Sequence, residues 1–249
     1  METSGASRQR LDQWLVEHGV YGSRARARDA ILRGEVLLSG RTASKPGQIV
    51  EAGDAVEVSD PARGFVSRSA LKLAAALDAF SLSPEGADCL DVGASTGGFT
   101  EVLLQRGAAR VIALDVGHGQ LAPSIAGDPR VISMEGMNAR ELKPGDLPYQ
   151  PNVVVADVSF ISLKLVLPPV LALMAEAAVG VFLVKPQFEV GRRHVGKGGL
   201  GRDEAAALAA VAGIEALVQS FGWRLLGRTS SPIAGGDGNR EYLIGVRRG

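Results

Sequence analysis

The sequence predicts an α/β protein: a doubly wound, mostly parallel sheet with helices on its faces, preceded by a small α+β unit. Three observations predict it. From Cys89 to Ser220, apolar runs of strand length alternate with helix-length runs, the pattern of repeated strand–helix–strand units. One of these runs, Cys89-Leu90, passes Asp91 into a glycine-rich turn, Gly93-Ala-Ser-Thr-Gly-Gly98, and then into a helix-like run from Thr100 to Arg106. Before residue 60 the order changes to helix, helix and strand hairpin, with arginines crowded on the second helix.

The chain of 249 residues, 46% hydrophobic, has room for one large domain or two smaller ones. Its formal net charge is zero, so any nucleic-acid contact must come from uneven distribution of charge. A single cysteine, Cys89, lies in an apolar run. That excludes a disulfide framework and predicts a reducing, cytoplasmic setting. The polar stretch Met1–Arg10 predicts no secretory signal. Val166 to Val184 approaches membrane-span length, but Pro168-Pro169, Glu176 and Gly180 break it; a helix ending near Ala178 and then a buried strand fits better. His18, His118 and His194 are scattered and offer no zinc spacing, so no metal is expected.

In order, Leu11, Trp14 and Leu15 fall on one helical face. Ser23 can cap a second helix, Arg24 to Arg33, which Gly34 stops. Strand candidates Glu35–Leu38 and Ala55–Val58 follow, with turns at Ser39-Gly40 and Pro46-Gly47. Arg24, Arg26, Arg28 and Arg33, with Arg41 and Lys45 just beyond, have only Asp29 on their helix to offset them. Without an anionic partner they would repel one another, which predicts a nucleic-acid surface on residues 1–60. Residues 61–66 read as a linker. Residues 67–249 then begin with a helix capped by Ser67 and running to Phe80; Lys72 lies on it, and periodicity alone does not single it out.

The glycine turn offers backbone N–H groups to a ligand. Its spacing is G-x-x-x-G-G and not G-x-G-x-x-G, so a nicotinamide dinucleotide is not expected. The pattern resembles S-adenosylmethionine binding in Rossmann-like methyltransferases. Ligands of such sheets sit beyond the carboxyl ends of the strands, where Asp91, Asp115, Asn138, Asp157 and Lys185 stand. Asp115 suits ribose hydroxyls; Asn138 suits either an adenine edge or a turn. Asp157 and Lys185 each end a near-continuous apolar run, and a charge there needs a partner or a purpose. A basic glycine-rich stretch from Gly191 to Gly201 follows, and Arg192, Arg193 and Lys197 on it are candidates for substrate phosphates. A strand hairpin, Gly222–Thr229 and Arg240–Val246, is expected to close the sheet.

Two resemblances draw these features together. Arg10-Leu-Asp-Gln-Trp-Leu15, Ser23-Arg-Ala-Arg-Ala27, the Ile31–Val36 run and Gly40 with Lys45-Pro46-Gly47 resemble the ribosomal-protein-S4-like RNA-binding module. Nearly the whole chain resembles the TlyA (haemolysin A) family: an S4-like domain joined to an FtsJ-like methyltransferase domain. The motifs are Val66-Ser-Arg-Ser-Ala-Leu-Lys72, Asp91 to Thr100, Asp115-Val-Gly-His-Gly-Gln-Leu121, Asn138-Ala-Arg140, Ala156-Asp-Val-Ser-Phe-Ile-Ser162, Val184-Lys-Pro-Gln-Phe-Glu189 and Gly238-Asn-Arg-Glu241.

The resemblance implies a class I methyltransferase fold, S-adenosylmethionine as cofactor, and 2′-O-methylation of ribose, on cytidine by analogy, in ribosomal RNA or ribosomal subunits. It implies the catalytic set Lys72, Asp157, Lys185 and Glu241. The cofactor set is Asp91, Gly93, Ala94, Ser95, Gly97, Gly98, Phe99, Asp115 and Asn138, and the RNA set is the basic residues above together with Arg10. An uncharged Lys185 would take the proton of the 2′-hydroxyl, with Asp157 orienting it and Glu241 positioning Lys72. The chain departs from the family at Ser69-Ala-Leu71, where Gly-Ala-His is expected, and at Phe65, where tryptophan is common. Three other readings stand beside this one. A membrane-lytic protein lacks a candidate span. A base-modifying RNA methyltransferase would need a nucleophilic cysteine or an Asn-Pro-Pro motif. A non-catalytic RNA-binding protein would not need the four catalytic candidates.

Overall fold

The computed structural model describes residues 8–190, 204–236 and 238–249. It divides into two compact units, the boundary falling between Gly64 and Phe65.

The N-terminal unit contains β1 (Gln9–Arg10), α1 (Leu11–Glu17), α2 (Arg24–Leu32), β2 (Val36–Leu38), β3 (Arg41–Thr42), β4 (Ile49–Val50) and β5 (Val56–Val58). Leu11 and Leu15 of α1 and Ala27, Ala30 and Ile31 of α2 are fully buried against Val36, Ala43 and Val50. Ser23 caps α2 through the Arg26 N–H at 3.4 Å, and Gly34 leaves the helix at φ +81°, a conformation that costs glycine little. β2 pairs antiparallel with β5 and with β3, while β1 pairs with β4. The two-residue strands β1, β3 and β4 carry no apolar alternation, and none of them is expected from the sequence. The expected linker does not begin free of this unit. Asp60 takes bonds from Tyr21 Oη and Arg33 Nη2, both at 2.8 Å, and Ala62 is buried.

The second unit contains α3 (Ala70–Ala79), β6 (Asp88–Val92), α4 (Gly98–Gln105), β7 (Arg110–Asp115), α5 (Pro123–Ala126), β8 (Val131–Glu135), β9 (Val153–Ala156), α6 (Leu163–Ala172), β10 (Val179–Val184), α7 (Pro186–Glu189), α8 (Glu204–Ser220), β11 (Trp223–Ser230) and β12 (Tyr242–Arg248). They build a seven-stranded sheet in the order β11-β12-β10-β9-β6-β7-β8. β6 to β10 pair in parallel; β12 runs antiparallel between β10 and β11. The order reverses between β6 and β9, the switch point where open α/β sheets bind ligands. Alternate strand residues bury on opposite faces. Val154, Phe182 and Ile244 pack under α6 and α8, and Val155, Leu183 and Leu243 under α3 and α4.

Two expectations about helices need correction. Pro168 and Pro169 do not break the apolar run but lie inside α6. The carbonyls that lose a donor to them belong to Lys164 and Leu165, both exposed residues, where water can take the missing place. The break comes later, between Ala172 and Val179. Nor does Ser67 cap α3, whose cap residue is Ser69; the Ser67 hydroxyl instead accepts from the Ser69 hydroxyl at 3.0 Å and from its N–H at 3.3 Å.

Candidate active site

The site is assembled at the carboxyl ends of β6, β9 and β10. β6 leads into Gly93, whose φ is +83°. A Cβ there would lie 2.6 Å from the Asp157 carbonyl oxygen, so the first turn residue must be glycine for the ends of β6 and β9 to come this close. β9 delivers Asp157 and β10 delivers Lys185. Lys185 Nζ lies 2.6 Å from Asp157 Oδ1, an ion contact outside hydrogen-bonding angles, and it donates to Ser159 Oγ at 2.7 Å. The side chains are 10% and 15% exposed, open enough for a ligand to reach.

The other two catalytic candidates form a second pair. Lys72 is not the solvated lysine that an amphipathic helix suggests; it is buried on the inner side of α3 and donates to Glu241 Oε2 at 2.5 Å. Glu241 itself is buried. The β10–β12 register ends with Val184 opposite Tyr242, so Lys185 and Glu241 each directly flank the last paired residues of adjacent strands. Three of the four charged groups thus flank the ends of β9, β10 and β12, and the fourth, Lys72, reaches Glu241 from α3.

A cavity of about 570 Å³ opens beside them, lined by Gly93, Ser95, Asp115, Val116, Asn138 and Phe160 among others. Asp115 accepts the N–H groups of Ser95 at 2.8 Å and Gly117 at 2.7 Å. That fixes its carboxylate at the cavity wall with lone pairs remaining. Asn138 both lines the cavity and caps the short turn Ala139–Glu141: its oxygen accepts from the Arg140 N–H and its amide donates to Glu141. A smaller cavity of about 150 Å³ shares Gly93, Ser95, Asp157 and Ser159 with the first and adds Ser67, Ser69, Ala94, Thr96, Phe99 and Lys185.

The remaining turn residues lie off the cavity walls. Asp91 is fully buried beneath the turn, accepts from Thr100 Oγ1 at 2.7 Å and leaves Oδ1 without a partner. Burial, with Asp157 and Asp115 nearby, pushes its carboxyl up to about 7. Gly97, at φ +95°, faces Leu121 and Ile125, and Gly98 backs onto Ser69 and Ser67. Sequence reasoning missed Ser159, Ser67, Ser69, Gln120 and Phe160 as lining residues. All five sit inside motifs already singled out, but only the charged or glycine members of those motifs carried a chemical signal.

The premise that only Asp29 offsets the arginines of the N-terminal unit needs correction: Arg10, Arg24 and Arg33 also meet Asp12, Glu35 and Asp60. Arg10 and Arg24 share Asp12 at 3.0 and 2.8 Å, and Arg33 contacts Asp29, Glu35 and Asp60 with its side chain only 15% exposed. Arg26 donates to the carbonyls of Ala62 and Arg63. Arg28, Arg41 and Lys45 are exposed and make no ion pair among the described residues. Arg192, Arg193 and Lys197 lie outside the described residues. Also among the described residues, no group of three acidic, histidine or cysteine side chains could hold a metal ion, and no helix is long and apolar enough to cross a membrane.

Comparison with known proteins matches residues 65–248 to the FtsJ-like methyltransferase model and residues 9–56 to the S4 domain. The 16S/23S rRNA (cytidine-2′-O)-methyltransferase TlyA of Mycobacterium tuberculosis is 46% identical over 97% of this chain and 91% of its own length. A structure from Streptococcus thermophilus described as a candidate hemolysin superposes with a TM-score of 0.76 at 37% identity, covering 96% of this chain and 88% of that one. A candidate S-adenosylmethionine-dependent methyltransferase from Listeria monocytogenes shares the fold, with a TM-score of 0.54 at 15% identity over 72% of this chain and 99% of its own. An S4 domain followed by a methyltransferase sheet, and a relative this similar along almost its full length, give one conclusion: the chain belongs to the TlyA family of FtsJ-like methyltransferases.

Proposed function

We propose that this protein transfers a methyl group from S-adenosylmethionine to the 2′-hydroxyl of a cytidine in ribosomal RNA, in the cytoplasm, with Lys185 as general base. The observation that carries this reading is the placement of Lys185 Nζ, within 2.7 Å of both Asp157 and Ser159, on the rim of the cavity beneath Gly93. The cavity's chemistry fits the cofactor. The Asp115 carboxylate, held by two backbone N–H groups, suits a ribose diol, and apolar Leu114, Val116 and Met137 suit an adenine face. Gly93, by letting the end of β9 approach, sets Asp157 on the wall of the same cavity. Bound there, S-adenosylmethionine supplies an electrophilic methyl group.

The protein's own groups do the rest. A ribose hydroxyl is a poor nucleophile while it keeps its proton, and a base within hydrogen-bonding reach removes that obstacle. Lys185 is that base, acting as the free amine. Asp157 and Ser159 aim Nζ; Glu241 holds Lys72 at its side. Residues 1–60, carried by an S4 domain, hold folded RNA by shape and phosphate contact, and residues 67–249 carry out the transfer.

The test is to map 2′-O-methyl marks on ribosomal RNA with and without the protein, alongside Lys185→Met. The variant is expected to lose on the order of 10²–10⁴-fold in turnover while binding S-adenosylmethionine as before. Near-normal turnover would refute the role given to Lys185.

A further inference from the structure

Lys185 owes both of its polar partners to one short segment, Asp157 to Ser162. That segment is bent into an unfavourable shape: Phe160 has φ +64° and is 92% exposed as a residue. A bulky L-residue keeps such a conformation only where its surroundings over-determine it. The restraint comes from α7, which directly follows Lys185. Glu189, its last residue, accepts the Leu163 N–H through Oε1 at 2.8 Å and the Ser162 hydroxyl through Oε2. A carboxylate on these two donors meets the positive end of α6 with charge-assisted bonds. One residue earlier, the Phe188 ring lies 5.3 Å from that of Phe160. Residues 185–189 and 157–163 are therefore tied at the ion contact, at the ring pair and at the carboxylate.

We propose that Glu189 is a positioning residue for the methyl transfer, acting through the clamped segment to hold Asp157 and Ser159 against Lys185. The inference rests on the general-base reading above. Removing the clamp frees the segment to relax, and displacement of a reacting group by about 1 Å can cost on the order of 100-fold in rate.

The experiment compares Glu189→Ala, Glu189→Gln and Lys185→Met in the full-length protein on ribosomal RNA, with kcat and KM for S-adenosylmethionine read separately. Glu189→Ala is expected to lower kcat by about 10- to 100-fold with KM for S-adenosylmethionine within about twofold. Glu189→Gln keeps a carbonyl for the Leu163 N–H and an amide for Ser162, and should recover most of the rate. Wild-type kcat in Glu189→Ala would overturn the proposal. So would a parallel loss of kcat and cofactor affinity in both Glu189 variants, the mark of a merely structural role. Lys185→Met separates the two readings: if it is inactive while Glu189→Ala is not, the clamp alone is refuted. If it too is active, the general base falls and the clamp with it.

Discussion

The open arginine pairs of the N-terminal unit and the two lysine pairs at the strand ends of the second unit handle charge in opposite ways. In residues 8–64 the arginines outside the Arg33 cluster that meet a carboxylate stay about half in the open or more: Arg10 and Arg24 keep 47% and 55% of their side chains exposed while sharing the enclosed Asp12. Because Arg10 and Arg24 share Asp12, one of these half-open arginines can turn to a phosphate while the other keeps that carboxylate paired. In residues 65–249 the two lysines are enclosed, Lys72 at 7% and Lys185 at 10% exposure, each on a single carboxylate. There, loss of one partner strands the other, which typically costs about 3–5 kcal/mol. The first arrangement suits adjustable capture of a polyanion, the second fixed placement of reacting groups. Asp60 and Arg33 are the exception in the first unit, a buried clamp among open pairs.

Three measurements sharpen this contrast. The largest effect is expected at Asp91. Its carboxyl, at about 7 instead of the usual 3.8, keeps its proton in the fold at a pH where the unfolded chain has released it. The folded form binds more protons, so this group's contribution to stability falls as pH rises from about 4 to about 7. At about 1.4 kcal/mol per pH unit, the loss reaches about 4 kcal/mol. Asp91→Asn mimics the protonated form and keeps an acceptor for Thr100. Its stability relative to the wild type, from denaturant titrations across that range, should climb with pH; a flat difference would contradict the raised value.

Next comes Asp60→Ala, which removes the bonds from Tyr21, Arg33 and Ala62 together. It should cost the N-terminal unit about 3 kcal/mol, read as faster hydrogen exchange in α1 and α2, with cofactor affinity unchanged. The smallest effect is Arg28→Ala: a few-fold weaker RNA binding and a salt dependence shallower by about one. Unchanged salt dependence would take Arg28 off the RNA surface.

Residue by residue, what the sequence reveals depends on how local the cause is. Val153–Ala156 and Val179–Val184 are legible because a parallel strand buried on both faces must be apolar throughout. Gly93 is legible because the turn demands it. Lys72 is not: it lies on α3 like any surface lysine, and its counter-charge is Glu241, far along the chain. Asn138 could be read as turn or cofactor contact, and it is a cap that also faces the cavity. The acids that offset part of the arginine cluster are hidden for the same reason, since Asp12, Glu35 and Asp60 come from outside α2. Ser159, a small hydroxyl among charged neighbours, announces nothing until β10 brings Lys185 to it.

Lys72 and Glu241 are separated by 169 positions, and β12, which follows Glu241, slots between two strands already laid down by earlier sequence. Closing so long a loop is slow. During synthesis Gly93, Asp157 and Lys185 are all made before Glu241, so the Lys72–Glu241 pair is the last of these contacts able to form.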